Sequence, residues 1–138
     1  MSDRGYVLDT SALFALIEDE PGADRVQEVL ETREVWIPWL VLLELAYVTR
    51  QERGEAEAEA RYALAKALPA TVVWDIDEPL VLTAARLKAL HRVSLADALI
   101  AAYAKRRAAV LLHKDPEYEV LAGQLAMEAL PYKRDRGA

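Results

Sequence analysis

The stretch Tyr6-Val7-Leu8-Asp9-Thr10-Ser11-Ala12-Leu13 passes from an apolar run of strand character, through a single carboxylate, to the opening of a helix. The same alternation repeats along the chain. Val35-Trp36-Ile37, Thr71-Val72-Val73-Trp74, Ala109-Val110-Leu111-Leu112 and Met127 to Leu130 are also short, and β-branched or aromatic enough for a sheet covered on both faces. Between them, apolar periodicity predicts helices over 11–18, 23–32, 39–53, 55–68, 79–91, 95–107 and 117–122. Glu55-Ala56-Glu57-Ala58-Glu59-Ala60 alternates like a strand, but Glu and Ala favour a helix, and Ala60, Leu64 and Leu68 continue a four-residue spacing. Pro21, Pro38, Pro69, Pro79, Pro116 and Pro131 all stand at the edges of these segments, where a missing amide hydrogen costs little. Strands alternating with helices predict an α/β fold: a parallel sheet with right-handed crossovers and helices on both faces. The segment Leu95 to Ala104 is apolar nearly all round, so its helix is expected to be covered on more than one side, within the chain or by a partner subunit.

At 138 residues the chain is expected to form one domain over 1–132, with a loose tail at 133–138. A hydrophobic fraction of 54% rules out disorder over most of it. No apolar run reaches the length of a membrane span and the first residues lack a secretory pattern, so a cytoplasmic location without membrane contact is expected. With no cysteine and only His91 and His113 as imidazoles, any metal must be held mainly by oxygen. The five glycines are too dispersed for a phosphate-cradling loop, which argues against ATP or NAD. A net charge of -6 argues against coating nucleic acid by bulk electrostatics, yet the charge is unevenly spread. Residues 1–78 hold 17 acids against 7 Lys/Arg, whereas residues 79–114 hold 7 Lys/Arg against the single acid Asp97. Arg86, Lys88, Arg92, Lys105, Arg106 and Arg107 are therefore candidate phosphate contacts, or else solvated helix faces.

In an open parallel sheet, ligands bind beyond the carboxyl ends of the strands, so carboxylates just after strands are the first candidates. Asp9 directly follows the first strand; Asp115 follows the fourth and opens Pro116-Glu117. Either could simply cap a helix. Asp97 stands three residues after Ser94, as in a capping box, but needs donors or a cation because an apolar helix follows it. Glu44 is the sole charge between Val35 and Thr49; it must point outward, pair with an arginine from elsewhere, or serve a site. One cause satisfies all four acids. A hard divalent cation, Mg²⁺ or Mn²⁺, would neutralise converging carboxylates and keep waters for a phosphate substrate.

These motifs resemble the PIN domains, and among them the VapC-type toxin ribonucleases of prokaryotic toxin–antitoxin pairs. The resemblance runs from about Tyr6 to Lys133 through Asp9-Thr10-Ser11-Ala12-Leu13, Glu44, Ser94-Leu95-Ala96-Asp97-Ala98-Leu99-Ile100-Ala101-Ala102 and Leu111-Leu112-His113-Lys114-Asp115-Pro116-Glu117-Tyr118. It implies a three-layer α/β/α sandwich around a mainly parallel five-stranded sheet, and hydrolysis of RNA phosphodiester bonds with Mg²⁺ or Mn²⁺. Asp9, Glu44, Asp97 and Asp115 match the family's catalytic, metal-binding quartet. Asp9 and Asp97 are then the direct ligands, Glu44 and Asp115 bind directly or through waters, and Thr10 or Ser11 supplies an auxiliary hydroxyl. The family also implies a homodimer with an RNA groove, and a small VapB-type antitoxin whose extended segment covers the site. His113 departs from the family pattern, which commonly has Thr or Ser there. It is expected either to touch the substrate phosphate or leaving group, or to be a surface histidine at a strand end. The alternative to an RNA-cleaving toxin is a non-catalytic PIN-like module that binds RNA or protein. A phosphoacceptor domain is disfavoured, since no acidic pair flanks the first strand's terminal aspartate.

Overall fold

A computed structural model describes residues 4–133. The elements run β1 (Tyr6–Leu8), α1 (Thr10–Ile17), α2 (Ala23–Thr32), β2 (Val35–Pro38), α3 (Trp39–Arg53), α4 (Glu55–Lys66), β3 (Thr71–Val73), α5 (Glu78–Leu90), α6 (Leu95–Arg106), β4 (Val110–His113), a 3-10 helix (Pro116–Leu121) and β5 (Met127–Ala129). Each predicted strand and helix is present, with shifts of one or two residues at the ends. The segment predicted as a helix over 117–122 winds as a single 3-10 stretch, capped by Asp115 and led by Pro116. Trp74 falls outside β3 and is exposed. Of the expected tail, Lys133 ion-pairs with Glu20 at 3.0 Å, and residues 134–138 lie outside the described residues.

The strands form one sheet in the order β3-β2-β1-β4-β5, and every pair is parallel. Val7, Leu8, Leu111 and Leu112 are fully buried, as central strands must be when helices cover both faces of a three-layer α/β/α sandwich. Burial explains the apolar sequence of α6: Ala98 and Ile100 to Ala104 are all buried within the chain, and of its apolar residues only Leu95 at its start is widely exposed. Gly54, with φ of 91°, ends α3 and starts α4; nothing crowds it, so the backbone conformation and not space demands glycine there. None of the helices among the described residues is long and apolar enough to cross a membrane.

The strand order places the site. From β1 the chain crosses over to β2 on one side, whereas from β4 it leads to β5 on the other. The connections therefore diverge above the carboxyl ends of β1 and β4, the crevice where open α/β sheets bind ligands. Asp9 and Asp115 stand at these two ends.

Candidate metal centre

Asp9 is the N-cap of α1, accepting from the Ala12 amide at 3.0 Å. It is only 2% exposed, and Ser11 Oγ lies 2.8 and 3.0 Å from its two oxygens, sharing one proton between them. Burial outweighs these donors and pushes its carboxyl up to about 7, with the charge of Asp97 adding to the rise. Ser11 Oγ also accepts from the Lys114 amide at 2.8 Å, which ties the end of β4 to the start of α1. Thr10 Oγ1 donates to Glu44 Oε1 at 2.5 Å. Neighbouring hydroxyls thus hold two carboxylates that lie 35 residues apart in sequence. Glu44 is half-buried, and its hydrogen-bond partner among the described residues is a threonine on α1, not an arginine.

Asp97 sits in the first turn of α6, where Ser94 Oγ accepts from its amide at 3.1 Å. Tyr118, fully buried in the 3-10 helix, donates its hydroxyl to Asp97 Oδ1 at 3.1 Å. Burial pushes the Asp97 carboxyl up to about 6; the charges of Asp115, Glu44 and Glu117 raise it further while Tyr118 opposes them. Its charged neighbours in this group are all acidic. Asp115 caps the 3-10 helix through the Glu117 amide at 2.9 Å, and oxygens of Asp97, Asp115 and Glu117 lie within 4.8 Å of one another. Asp115 therefore both caps and belongs to the cluster.

The structure groups Asp97 and Asp115 with Glu117, which sequence reasoning did not single out, and sets Asp9 and Glu44 within electrostatic reach of Asp97. The signal for Glu117 was the Asp115-Pro116-Glu117 helix start, in which the second carboxylate stands in the first turn that the first one caps. Tyr118 was also missed as a partner, because its contact with Asp97 spans 21 residues. The donor set fits a hard divalent cation: it is all oxygen, Asp9 is buried, Glu44, Asp97 and Asp115 are half-buried with Glu117 exposed at the rim, and the raised carboxyls of Asp9 and Asp97 favour a positive charge beside them.

His113 corrects an expectation. It is 2% exposed, so it is no surface histidine at a strand end and offers no open imidazole for substrate. Its Nδ1 accepts from the Asp115 amide at 3.2 Å, and its ring packs 4.9 Å from the Tyr118 ring and 6.3 Å from that of Tyr132. Burial lowers its pKa, so near neutral pH it is an uncharged prop beneath Asp115, with its proton on Nε2.

The basic segment also divides. Lys105, Arg106 and Arg107 lie at the opposite end of α6 from Asp97; Arg107 is about 15 Å away along the axis at the usual helical rise. Lys105 donates to the Gln124 carbonyl at 2.8 Å and Arg107 covers the Trp36 ring at 5.4 Å. Lys114 is buried, with Nζ turned to the Pro21 carbonyl and Glu20. Arg86, Lys88 and Arg92 are exposed.

The PIN domain family model matches residues 6–124. This chain belongs to the PIN domain family. Three solved structures share the PIN fold closely. VapBC2 from Rickettsia felis, bound to a DNA fragment from their promoter, superposes with a TM-score of 0.75 at 16% identity, covering 91% of this chain and 98% of that one. DNA-bound VapBC from Salmonella typhimurium gives 0.72 at 19% identity, covering 91% and 98%. VapC20 from Mycobacterium tuberculosis, a sarcin-ricin loop cleaving toxin, gives 0.70 at 18%, covering 92% and 100%. No curated protein matches the sequence. In this PIN domain the acidic cluster lies at the carboxyl ends of β1 and β4, where the strand order alone puts the crevice.

Proposed function

We propose that this PIN domain is a ribonuclease that hydrolyses RNA phosphodiester bonds with Mg²⁺ or Mn²⁺, and that it is the toxin of a VapBC-type toxin–antitoxin pair. The observation that supports the reading is the cluster of Asp97, Asp115 and Glu117 beyond β4, with the buried Asp9 and the half-buried Glu44 within electrostatic reach of Asp97. When bound, a divalent cation supplies Lewis acidity towards a phosphodiester oxygen and lowers the pKa of its waters. Asp9 and Asp97 would hold the ion. Glu44 and Asp115 would hold it directly or through waters and help orient a water, with Glu117 adding charge at the rim. Ser11 fixes the rotamer of Asp9, Thr10 that of Glu44 and Tyr118 that of Asp97. Arg92, exposed and two residues before the Ser94 cap of the helix that carries Asp97, is a candidate contact for RNA phosphate.

A VapB-type antitoxin would cover the site with an extended segment and pack beyond it on apolar surface. Leu43, Tyr47 and Tyr62 line an apolar groove of about 410 Å³ between α3 and α4. Val81, Leu82 and Leu90 expose apolar surface on α5, with Leu95 beside them in sequence, and supply a face for a second copy.

The test is cleavage of a structured RNA by the purified, partner-free protein with Mg²⁺, Mn²⁺ or EDTA, beside Asp97→Asn. Cleavage that disappears both in EDTA and in the variant is expected. Cleavage indifferent to both would overturn the reading, and RNA binding without cleavage under either ion would replace it with a binding module.

A further inference from the structure

A cavity of about 340 Å³ opens beside the carboxylates, bounded by Ser11 and Phe14 of α1, Val48 and Glu52 of α3, and Asp115. It is at the small end of ligand pockets, with room for one planar group. Phe14 and Val48, both half-buried, give it an apolar floor. Its charges are nearly balanced. Glu18 is met by Arg61 at 3.0 Å and Arg53 at 3.6 Å, and Glu20 by Lys133 at 3.0 Å and Lys114 at 3.6 Å. Four cations thus stand against the acids Glu18, Glu20, Glu52 and Asp115. Such a wall favours neither a phosphate nor an arginine-bearing peptide. Asp115 belongs to the metal centre, and Glu52 is exposed and enters none of these ion pairs. Glu52 therefore lines the cavity with Phe14, joined by none of these ion pairs and with Lys133 in its field, next to the place where a phosphodiester would be cleaved.

We propose that this cavity is a nucleobase subsite in which a base packs on Phe14 and Glu52 reads guanine. The inference rests on the ribonuclease reading. Guanine carries N1–H and N2–H side by side on its Watson–Crick edge, matching the two oxygens of a carboxylate; adenine, cytosine and uracil each set an acceptor beside their donor there, against the negative charge. Single-stranded RNA bases are commonly recognised in this way, by stacking on an aromatic ring and bonding to the Watson–Crick edge. Glu52 would thus be a specificity-determining residue, separate from the carboxylates that hold the ion.

The test is a heteronuclear NMR titration of the full chain, with Mg²⁺ present, by 5′-GMP and by 5′-IMP, which lacks only the N2 amino group. GMP is expected to shift the Phe14 ring and Val48 methyl signals and to bind about tenfold more tightly than IMP, in line with one bidentate base contact. Glu52→Gln, at an exposed position, is expected to remove that difference. Equal affinities in the wild-type chain, shifts confined to other regions, or the same signals moved by the dipeptide Arg-Gly and not by GMP would each overturn the subsite. The titration requires no cleavage, so its result separates from that of the EDTA and Asp97→Asn experiment: an RNA-cleaving protein with equal GMP and IMP affinity keeps the function and loses the subsite.

Discussion

Tyr118 does for Asp97 what Ser11 does for Asp9: a neutral hydroxyl holds a carboxylate in one rotamer without cancelling its charge. The distinction matters because a lysine or arginine in its place would compete with a cation for the same oxygens. Tyr118→Phe removes one donor and keeps the ring that packs on His113. The variant is expected to bind Mn²⁺ about 10- to 100-fold more weakly, as losses of such supporting bonds generally do. Calorimetric titration with Mn²⁺ checks this, and an unchanged melting temperature in EDTA would show that the loss is at the site. The candidate acids were legible in the sequence because Asp9 directly follows a strand-like run, Asp115 follows another after two further residues, and Glu44 and Asp97 stand alone in apolar surroundings. Their partners were not. Thr10 and Glu44 lie 34 residues apart, and nothing local in either segment reveals the other.

At the level of elements, local chemistry is read easily. Asp9, Asp77, Ser94 and Asp115 each cap a helix start with a side-chain oxygen, as their residue types allow. The packing between elements is less local. Gly5, just before β1, has no steric claim in sequence, yet a Cβ there would sit 2.3 Å from Cζ3 of Trp36 on β2. The Trp36 ring is itself covered by Arg107 from the end of α6, so it is held from the other side. Gly5→Ala is therefore expected to lower stability by about 1 to 3 kcal/mol through overpacking. Urea denaturation checks this; a midpoint equal to wild type would mean that the ring swings aside freely. Histidine at position 113 shows the same limit. A polar residue at a strand end reads as exposed, but the 3-10 helix folds Tyr118 over it and makes it part of the interior.

For the whole molecule, the fold gathers negative charge that water would otherwise separate, and the consequence is a defined pH response. In the cation-free protein Asp9 titrates at about 7 and Asp97 at about 6, against 3.8 for the ordinary side chain. Between these values the folded state binds more protons than the unfolded one, so stability is full below the unfolded pKa and falls as pH rises towards 7. His113, lowered by burial, acts in the opposite direction, gaining stability as pH rises through its ordinary value of 6.5. Comparison with Asp9→Asn cancels that contribution. In EDTA the wild-type melting temperature is expected to fall more steeply than that of Asp9→Asn between about pH 5 and about pH 7.5. Adding Mn²⁺ at the upper pH should raise the wild type, by about 2.7 kcal/mol of stability at a hundredfold excess over Kd, and leave the variant nearly unchanged. Parallel pH curves for the two proteins would show that Asp9 is ionised freely in the folded state. At the opposite end of the sheet the fold pairs its charges: Arg25 grips Glu128 at 2.7 and 3.0 Å, and Tyr6 donates to the same carboxylate at 2.8 Å.

The sequence by itself determined the order and kind of the elements, the parallel sheet and the four acids, because periodicity, proline placement and isolated charges in apolar runs are local quantities that act over a few residues. Tertiary structure alone decided that Glu44 meets Thr10, that Glu117 and Tyr118 join Asp97, that His113 turns inward, and that Lys105, Arg106 and Arg107 lie far from the carboxylates. Those outcomes depend on where crossovers return the chain and on how deeply each side chain is buried. Burial and long-range proximity set proton affinity and contact, and both are properties of the packed sheet and its helices.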